Sequence, residues 1–511
     1  MAVTDDRKYT KEQVYNLLEK VKGKTLGEVD KSHQFARTLK SEKITGIAGD
    51  VVEQSIFGYE RDSDQECDIE IDGVLTELKT TGVRVPKCDL KNAKGKYGTD
   101  YNMHLGAKEG ISITNVTFDP TIQIDFNTSH FWEKAQHLLI VFYEYKSYEV
   151  VPASEYAQFP IVDYCYNSFS SDEKAKLQND WEIVRDYLQV IYKKHQDVER
   201  RNEQLIGFTH TLRPNLLLIE LVPGFKRKAS GNYQKPRYRL KKTFVDYIVR
   251  GHFNHSRIKN EITLKDSFAS FAQLDARCHE LSIRYKGKTL PELKEILGIE
   301  TDMKDIAAKC IIRMFGTDCN RLNQISDFTK AGIIAKTITI TPKGGKTEDM
   351  KLSHIDFEEW ADRDADFEDS DVYAYFCEHS FLCPIFCEHD ADDSNKTTFE
   401  GFKRFAFDDD FIETEVRRTW EDSRKLIHRN ELEWEYVYNK QGQKRINSSG
   451  AYMGAPNFPK SLNYKVFFRG GADVSTEKTR TECVNGIRML PQFFWLKGTY
   501  IANKLQEIPY I

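Results

Sequence analysis

Residues 67–80 read CDIEIDGVLTELKT, and this stretch decides the fold. Asp72-Gly73 supplies the positive φ values of a two-residue type I′ turn, and alternating apolar residues flank it on both sides. The pattern therefore predicts a β-hairpin. Counting outward from the turn places Asp68 directly opposite Glu77, and Lys79 lies two residues further along the same face.

Two opposed carboxylates beside a lysine indicate a metal site. Directly opposed residues have Cβ atoms about 5 Å apart, so Asp68 and Glu77 can share one hard divalent cation such as magnesium. Lys79 would then lie beside a metal-bound water or a phosphate group. The alternative is an exposed hairpin with ordinary charges on its solvated face, and the rest of the chain must decide between the two.

Composition indicates a protein of two domains. A chain of 511 residues is too long for one ordinary core. Its ten cysteines are scattered without framework spacing, which is typical of reduced thiols. The polar N-terminus and the lack of a long apolar run predict no membrane contact and a cytoplasmic location. With a net charge of −5, any DNA binding must come from local basic clusters.

Two further segments bring candidate residues toward the hairpin. Ile44–Gly58 has the apolar spacing of a helix that ends at its glycine, and Glu53 lies on it. Ser129–Tyr145 runs from a helix or turn, which carries Lys134, into a buried strand. Ser170–Leu205 has the pattern of a long charged helix.

Residues 224–244 hold eight basic residues and no acidic one, with tyrosines interleaved. This composition is typical of a surface that contacts phosphates, although such runs also occur on solvated faces. The basic candidates for DNA contact in the first half are Arg213, Lys226, Arg227, Lys228, Arg237, Arg239, Lys241 and Lys242.

The second half of the sequence echoes the first. The echoes pair Lys22–Val29 with Lys286–Leu293, Leu212–Pro214 with Phe468–Gly470, and Tyr238–Phe244 with Phe494–Tyr500. Both of the last two pairs lie 256 residues apart, and an ordered echo at nearly constant offset predicts two copies of one fold. It adds Arg469 and Lys497 to the DNA-contacting candidates.

The two copies differ at the acidic positions. In the second half, Ile311 is at the position that corresponds to Glu53, and Ile334 is at the position that corresponds to Glu77. Glu378 takes the place of Lys134, while Asp327 and Lys336 remain. The second copy is therefore expected to bind DNA without cutting it.

These motifs carry a family likeness over nearly the whole chain. The sequence resembles the MutH-type nucleases, and in its doubled length it is most similar to the GATC-cutting type II restriction endonucleases of the Sau family. The likeness rests on TLGEV (25–29), GDVVEQSIFG (49–58), the hairpin, WEK (132–134), LRP (212–214) and RYRLKKTF (237–244). It implies that the catalytic residues are Glu53, Asp68, Glu77, Lys79 and Lys134, and that the backbone carbonyl of Leu78 is a further metal ligand.

One spacing departs from the family pattern. The family places its aspartate seven residues before the glutamate, which here would be Glu70, whereas Asp68 lies nine before Glu77. We prefer Asp68 because a hairpin lengthened by two residues preserves the cross-strand pairing, while Glu70 faces Leu75. Glu70 remains the alternative.

The resemblance implies an α/β protein with two tandem restriction-endonuclease-like domains of the PD-(D/E)xK, MutH-like class, each a mixed sheet flanked by helices. We expect a catalytic domain at 1–255, a linker at 256–275 and a degenerate DNA-binding effector domain at 276–511. The implied activity is magnesium-dependent double-strand cutting of DNA before the G of GATC, leaving 5′-phosphates.

The expected partners follow from that activity. They are double-stranded DNA, a second copy of the chain in a dimer or looped complex on DNA, and a functionally linked DNA methyltransferase. The free protein is expected to be a monomer. A mismatch-repair-type nicking enzyme and a non-catalytic DNA-binding regulator remain alternatives.

Overall fold

The computed structural model describes residues 7–40, 44, 46–59, 66–86, 93, 101–116, 124–147, 151–197, 201, 204, 208–209, 211–226, 233–254, 262–300, 306–345, 348–355, 357–361, 363, 366–472 and 474–511. Contacts divide these residues into two units. The first contains the described residues up to Leu274, together with Asn323–Gly332. The second contains those of 275–322 and 333–511.

Strands and helices alternate along the chain, so the predicted α/β class is confirmed. The strands are β1 (Lys8–Tyr9), β2 (Ile69–Ile71), β3 (Val74–Arg84), β4 (Gly106–Ala107), β5 (Ile111–Asn115), β6 (His137–Glu144), β7 (Ile161–Ser168), β8 (Ile219–Val222), β9 (Phe225–Lys226), β10 (Tyr233–Gln234), β11 (Arg237–Leu240), β12 (Ile333–Ala335), β13 (Ile338–Ile340), β14 (Met350–His354), β15 (Ser380–Cys387), β16 (Thr398–Ala406), β17 (Trp434–Tyr436), β18 (Gly454–Pro456), β19 (Val466–Gly470), β20 (Glu482–Val484), β21 (Ile487–Met489) and β22 (Gln492–Leu496). The helices are Lys11–Glu19, Leu26–Val29, Ile47–Val51, His130–Ala135, Ser171–Lys194, Lys242–Phe253, Phe271–Tyr285, Leu290–Ile296, Ile306–Met314, Ser326–Lys330, Phe357–Ala361, Asp371–Glu378, Asp409–Phe411, Arg417–His428 and Gly498–Glu507, with π-helical turns at Val52–Phe57 and Ile412–Val416.

A mixed sheet forms the centre of the first unit. Its strand order is β1-β2-β3-β6-β7, and β4 pairs with β3. The β3–β6 pair is parallel, whereas β2–β3 and β6–β7 are antiparallel. Strand β6, LLIVFY between His137 and Glu144, is buried almost throughout. Such a continuous apolar run is typical of a strand covered on both faces.

A second, smaller sheet of the first unit carries part of the basic run. Its order is β5-β11-β8, with both pairs antiparallel. The helix Lys242–Phe253 begins directly after β11 and buries Phe244, Val245 and Val249. Of the basic residues in the run, Arg237 and Arg239 lie on this short strand and Lys242 begins the helix.

Among the four sheets described in the second unit, two resemble those of the first unit, and the pairs β17-β18 and β20-β21 are separate. Its long strand β15 pairs in parallel with β12 and β13 and antiparallel with β16. Its other sheet has the order β14-β22-β19, with antiparallel pairs, and the helix Gly498–Glu507 follows β22. Each unit thus combines a mixed sheet with a three-stranded antiparallel sheet whose middle strand leads into a helix.

Two predicted helices differ in detail from the structure. The helix expected over Ile44–Gly58 is an α-helix at Ile47–Val51 that continues as a π-helical turn to Phe57, and Gly58 ends it with φ 82°. The long helix expected over Ser170–Leu205 begins at Ser171 and ends at Lys194. Across the described residues we find no helix with the length and apolarity needed to cross a membrane.

Candidate active site

The hairpin has the predicted register. Ile69 pairs with Thr76, and Ile71 pairs with Val74. Asp72 and Gly73 have φ values of 48° and 81°, as the type I′ turn requires. Glu70 pairs with Leu75, as expected, and continuing the register by one residue brings Asp68 opposite Glu77.

A backbone hydrogen bond fixes the Asp68 carboxylate at the end of the hairpin. Its Oδ2 accepts from the amide of Leu78 at 2.8 Å. Burial, together with the negative charge of Glu77, raises the pKa of Asp68 to about 6, although Lys79 and Lys134 oppose the rise. The ionised carboxylate is therefore held at an energetic cost, which a bound cation would relieve.

Glu77 lies between two lysines. Its side chain is only 2% exposed, and Lys79 Nζ donates to Oε1 at 2.7 Å. Lys134 Nζ lies 3.1 Å from Oε1 and 3.0 Å from Oε2. Burial opposes the charge on Lys79, but the carboxylates of Glu77 and Asp68 outweigh it and raise the pKa of Lys79 to about 12.

Lys134 reaches this position from the helix that precedes β6. Ser129 caps that helix by accepting from the amide of Trp132 at 3.1 Å. Trp132 and Phe131 bury the helix against the core. The predicted helix-to-strand segment thus delivers its lysine to the hairpin.

Glu53 approaches the same edge of β3 from the π-helical turn. A methyl group placed on Gly49 would lie 3.8 Å from Glu53 Oε1 and 3.7 Å from the hydroxyl of Thr80. The backbone amides of Gly58 and Tyr59 both donate to the carbonyl of Glu53, at 2.9 and 3.3 Å. π-Helical turns occur frequently at functional sites, and this one sets the position of a candidate ligand.

A cavity of about 350 Å³ opens beside these groups. Glu53, Asp68, Leu78 and Lys79 line it together. Other residues of its wall, which the sequence did not point to, are Arg7, Asp50, Tyr59, Thr80 and Ser112. Asp50 and Thr80 belong to the quoted segments 49–58 and 67–80, whereas Arg7, Tyr59 and Ser112 lie outside them and only the fold brings them to the cavity.

The oxygen atoms at this cavity suit magnesium, which prefers hard oxygen ligands. The side chains of Glu53, Asp68 and Glu77 and the carbonyl of Leu78 would hold it. In the part of the chain that the structure describes, however, no three Asp, Glu, His or Cys side chains are already gathered as a metal-binding set. Because the Glu77 carboxylate accepts hydrogen bonds from Lys79 and Lys134, it must give up the contact with one of these lysines to bind the metal.

The basic candidates of the first unit have different environments. Arg213 begins a short 3₁₀ turn, Arg213–Asn215, and Arg237 lies at the start of β11. Arg239 is paired across the strands with Glu220 at 2.6 Å. Lys242 begins the helix after β11 and is half-buried. Lys226 lies in β9, where its backbone alone is described, and Arg227 and Lys228 fall outside the described residues.

Lys241 faces inward and has a structural role. It is 3% exposed, and its Nζ donates to the carbonyl of Leu216 at 2.6 Å. Its charge also stabilises the ionised form of buried Asp180, which accepts from three consecutive amides, 217–219, at 2.7–2.9 Å. In this arrangement Lys241 contributes nothing to a DNA-contacting surface.

In the second unit, Ile334 has the strand register that Glu77 has in the first. Glu77 pairs in parallel with Leu138, the second residue of β6, and Ile334 pairs in parallel with Phe381, the second residue of β15. Ile311 is buried in the helix Ile306–Met314. Arg469 lies on β19, where its guanidinium contacts Asp349 at 2.6 Å, and Lys497 is the residue before the helix Gly498–Glu507.

Two details of the predicted echo need correction. Lys134 lies three residues before β6, and the residue three before β15 is Cys377, so Glu378 is not its counterpart. Asp327 lies in the helix Ser326–Lys330 of the first unit and not in a hairpin strand. There it accepts from Lys176 Nζ at 3.1 Å.

Comparison with known proteins agrees with this geometry. The family model of the DNA mismatch repair enzyme MutH matches residues 57–180, which include Asp68, Glu77, Lys79 and Lys134. The chain is also 23% identical to the type II restriction enzyme Sau3AI of Staphylococcus aureus over 528 aligned positions, which cover 98% of this chain and 99% of that protein. The chain is therefore related to the MutH-type nucleases and, over nearly its full length, to the type II restriction enzyme Sau3AI.

Proposed function

We propose that this chain is a type II restriction endonuclease that makes magnesium-dependent double-strand cuts in DNA at the palindrome GATC, before the G. One observation carries the proposal. Within the segment that matches MutH, the hairpin and the helix before β6 bring Asp68, Glu77, Lys79 and Lys134 to one edge of the sheet. The near full-length similarity to Sau3AI supports the class of reaction and the choice of site.

The roles of the residues follow from their positions. Glu53, Asp68, Glu77 and the Leu78 carbonyl would hold the metal. A bound magnesium ion supplies Lewis acidity toward the phosphate. Against burial, the carboxylates of Glu77 and Asp68 raise the pKa of Lys79 to about 12. A metal bound to those carboxylates would weaken this effect, so Lys79 orients or deprotonates the attacking water and offsets negative charge at the scissile phosphate.

Lys134 acts through Glu77. Its ammonium contacts both oxygens of that carboxylate, so it holds the Glu77 side chain in position. Attack of water on phosphorus breaks the bond to the 3′ oxygen, so each cut leaves a 5′-phosphate and a 3′-hydroxyl.

The second half is proposed to be a degenerate copy that binds DNA and does not cut it. Three features support this division into a catalytic domain at 1–255, a linker at 256–275 and an effector domain at 276–511. Both units pair a mixed sheet with a three-stranded antiparallel sheet whose middle strand leads into a helix. The residue at the Glu77 register is Ile334, and Ile311 occupies the echo of Glu53. An isoleucine side chain cannot ligate a metal.

DNA contact in the first unit is assigned to Arg213, Lys226, Arg227, Lys228, Arg237, Arg239 and Lys242, and in the second to Arg469 and Lys497. A palindrome is cut on both strands, so a chain with one active site must pair with a second copy or act twice. We propose a monomer in solution and a dimer or looped complex on DNA. The enzyme would work in the cytoplasm alongside a methyltransferase that protects the same site.

The test is digestion of a plasmid with magnesium, followed by sequencing of the ends. Linear product with 5′ ends before the G of every GATC is expected. Glu77→Ala and Lys79→Ala should abolish cutting while DNA binding in calcium survives, and Glu70→Gln serves as the matched control on the neighbouring strand. Nicks confined to one strand would favour the mismatch-repair type of activity, and binding without any cleavage would favour a regulator.

A further inference from the structure

Tyr59 occupies an unusual position beside the catalytic groups. It directly follows Gly58, which ends the turn carrying Glu53, and its amide donates to the Glu53 carbonyl at 3.3 Å. The side chain is 5% exposed and lines the same cavity as Asp68 and Lys79. The backbone therefore ties the position of Tyr59 to that of a proposed metal ligand.

The hydroxyl of Tyr59 has no hydrogen-bond partner among the residues that the structure describes. A buried hydroxyl without a partner is destabilising, so such groups call for an explanation. The rest of the tyrosine is well packed in the core of the first unit. A phenylalanine would satisfy that packing, which indicates that the oxygen serves something that enters the cavity.

Charges of both signs surround Tyr59. The guanidinium of Arg7 lies 4.6 Å from the centre of its ring, and Arg7 and Lys79 line the cavity with it. Glu53 and Asp68 line the same cavity and are ligands of the proposed magnesium site. With magnesium bound to these acids, two cations and a hydroxyl donor remain for a phosphate group, whose oxygens accept hydrogen bonds.

We propose that Tyr59 is a further catalytic residue, whose hydroxyl donates a hydrogen bond to a non-bridging oxygen of the scissile phosphate. This rests on the proposed function and adds a donor that the motif residues do not supply. Because charge on those oxygens changes during phosphoryl transfer, a donor fixed beforehand by the protein lowers the barrier. The packed ring holds the hydroxyl in place before the substrate arrives.

The primary test compares Tyr59→Phe with the wild type in the full-length chain, with Tyr15→Phe as the control because Tyr15 is 56% exposed. The expected single-turnover cleavage rate of Tyr59→Phe at saturating magnesium is about 10- to 100-fold lower. Affinity for a GATC duplex in calcium and affinity for the metal should stay within about twofold. The melting temperature should be equal or higher, because the change removes a buried hydroxyl without a partner.

A chemical probe locates the contact. Sulfur accepts hydrogen bonds poorly, so duplexes with Rp or Sp phosphorothioate at the scissile linkage should slow the wild type and Tyr15→Phe. For one of the two isomers, Tyr59→Phe should be slowed at least fivefold less than Tyr15→Phe, because its contact is already lost.

The outcomes separate the possible errors. If the wild type does not cut, the proposed function fails and the role of Tyr59 fails with it. If the wild type cuts but Tyr59→Phe cuts equally fast, the inference alone is overturned. A loss of cleavage that excess metal restores would also overturn it, because the hydroxyl would then position a metal ligand. Equal sensitivity of both variants to each phosphorothioate isomer would contradict the phosphate contact.

Discussion

Changing the two hairpin carboxylates to amides is expected to shift stability in opposite directions, although both changes abolish cleavage. The ionised Asp68 is destabilising because its pKa rises from 3.8 to about 6 in the fold. Each pKa unit corresponds to about 1.4 kcal/mol, so the upper limit of the penalty at pH 7 is about 3 kcal/mol. Asp68→Asn removes that charge, and we expect a gain of about 1–2 kcal/mol in the free energy of unfolding.

Glu77→Gln should instead cost about 3 kcal/mol. Glu77 is the counter-charge of two ammonium groups at 2.7–3.1 Å, and the side chain of Lys134 is only 10% exposed. Removing one member of a buried ion pair leaves the other uncompensated, at a typical cost of about 3–5 kcal/mol. Lys79, whose side chain is 20% exposed, can recover part of its hydration, so the lower end applies.

Urea unfolding in EDTA at several pH values measures both effects. The raised pKa of Asp68 favours folding below about pH 4, and this contribution is lost as the pH rises through about 6. The advantage of Asp68→Asn should therefore be largest at pH 7 and shrink toward pH 4. Glu77→Gln with the stability of the wild type, or Asp68→Asn less stable at pH 7, would refute the charge arrangement described for the site.

Three other results are expected. Glu70→Gln should cut DNA at close to the wild-type rate in a plasmid assay, because Glu70 faces Leu75; if this change rather than Asp68→Asn is the inactivating one, the ligand assignment is wrong. Arg237→Ala and Lys242→Ala should each reduce the slope of log DNA affinity against log salt concentration by about 0.9. Lys241→Met should leave that slope unchanged and lower the free energy of unfolding by about 2 kcal/mol. A reduced slope for Lys241→Met would show that Lys241 contacts DNA. A plasmid with two GATC sites should be cut faster than a plasmid with one, because a second site held by the effector domain raises the local concentration of partner chains; equal rates would leave that domain without a role in cutting.

The hairpin could be predicted because its information is local. Asp72-Gly73 determines the turn, the turn determines the register, and the alternation of apolar residues determines the buried face. The position of Lys134 before an apolar strand was also predicted from the sequence, whereas its place at the site was implied by the family resemblance.

Other features depend on contacts between distant segments and could not be read from the sequence. The basic run shows the limit most clearly. Lys241 and Lys242 are neighbours of the same type, yet the first donates to Leu216 inside the fold while the second begins a helix at the surface. The position of Tyr59 depends on a π-helical turn, which the helical spacing of Ile44–Gly58 did not indicate.

The second unit differs from the active-site region of the first by more than the replacement of one carboxylate. Ile334 occupies the register of Glu77, so the sheet that would present the carboxylate is still there. The residues before β12 form the helix Ser326–Lys330, so the strand that would carry the second acid does not lie beside β12. Asp327 on that helix accepts a hydrogen bond from Lys176 in the first unit. Restoring a glutamate at 334 alone would leave it without an opposed acid. The proposed degenerate copy would therefore differ from the first unit in backbone as well as in side chains, which favours a separate role for it.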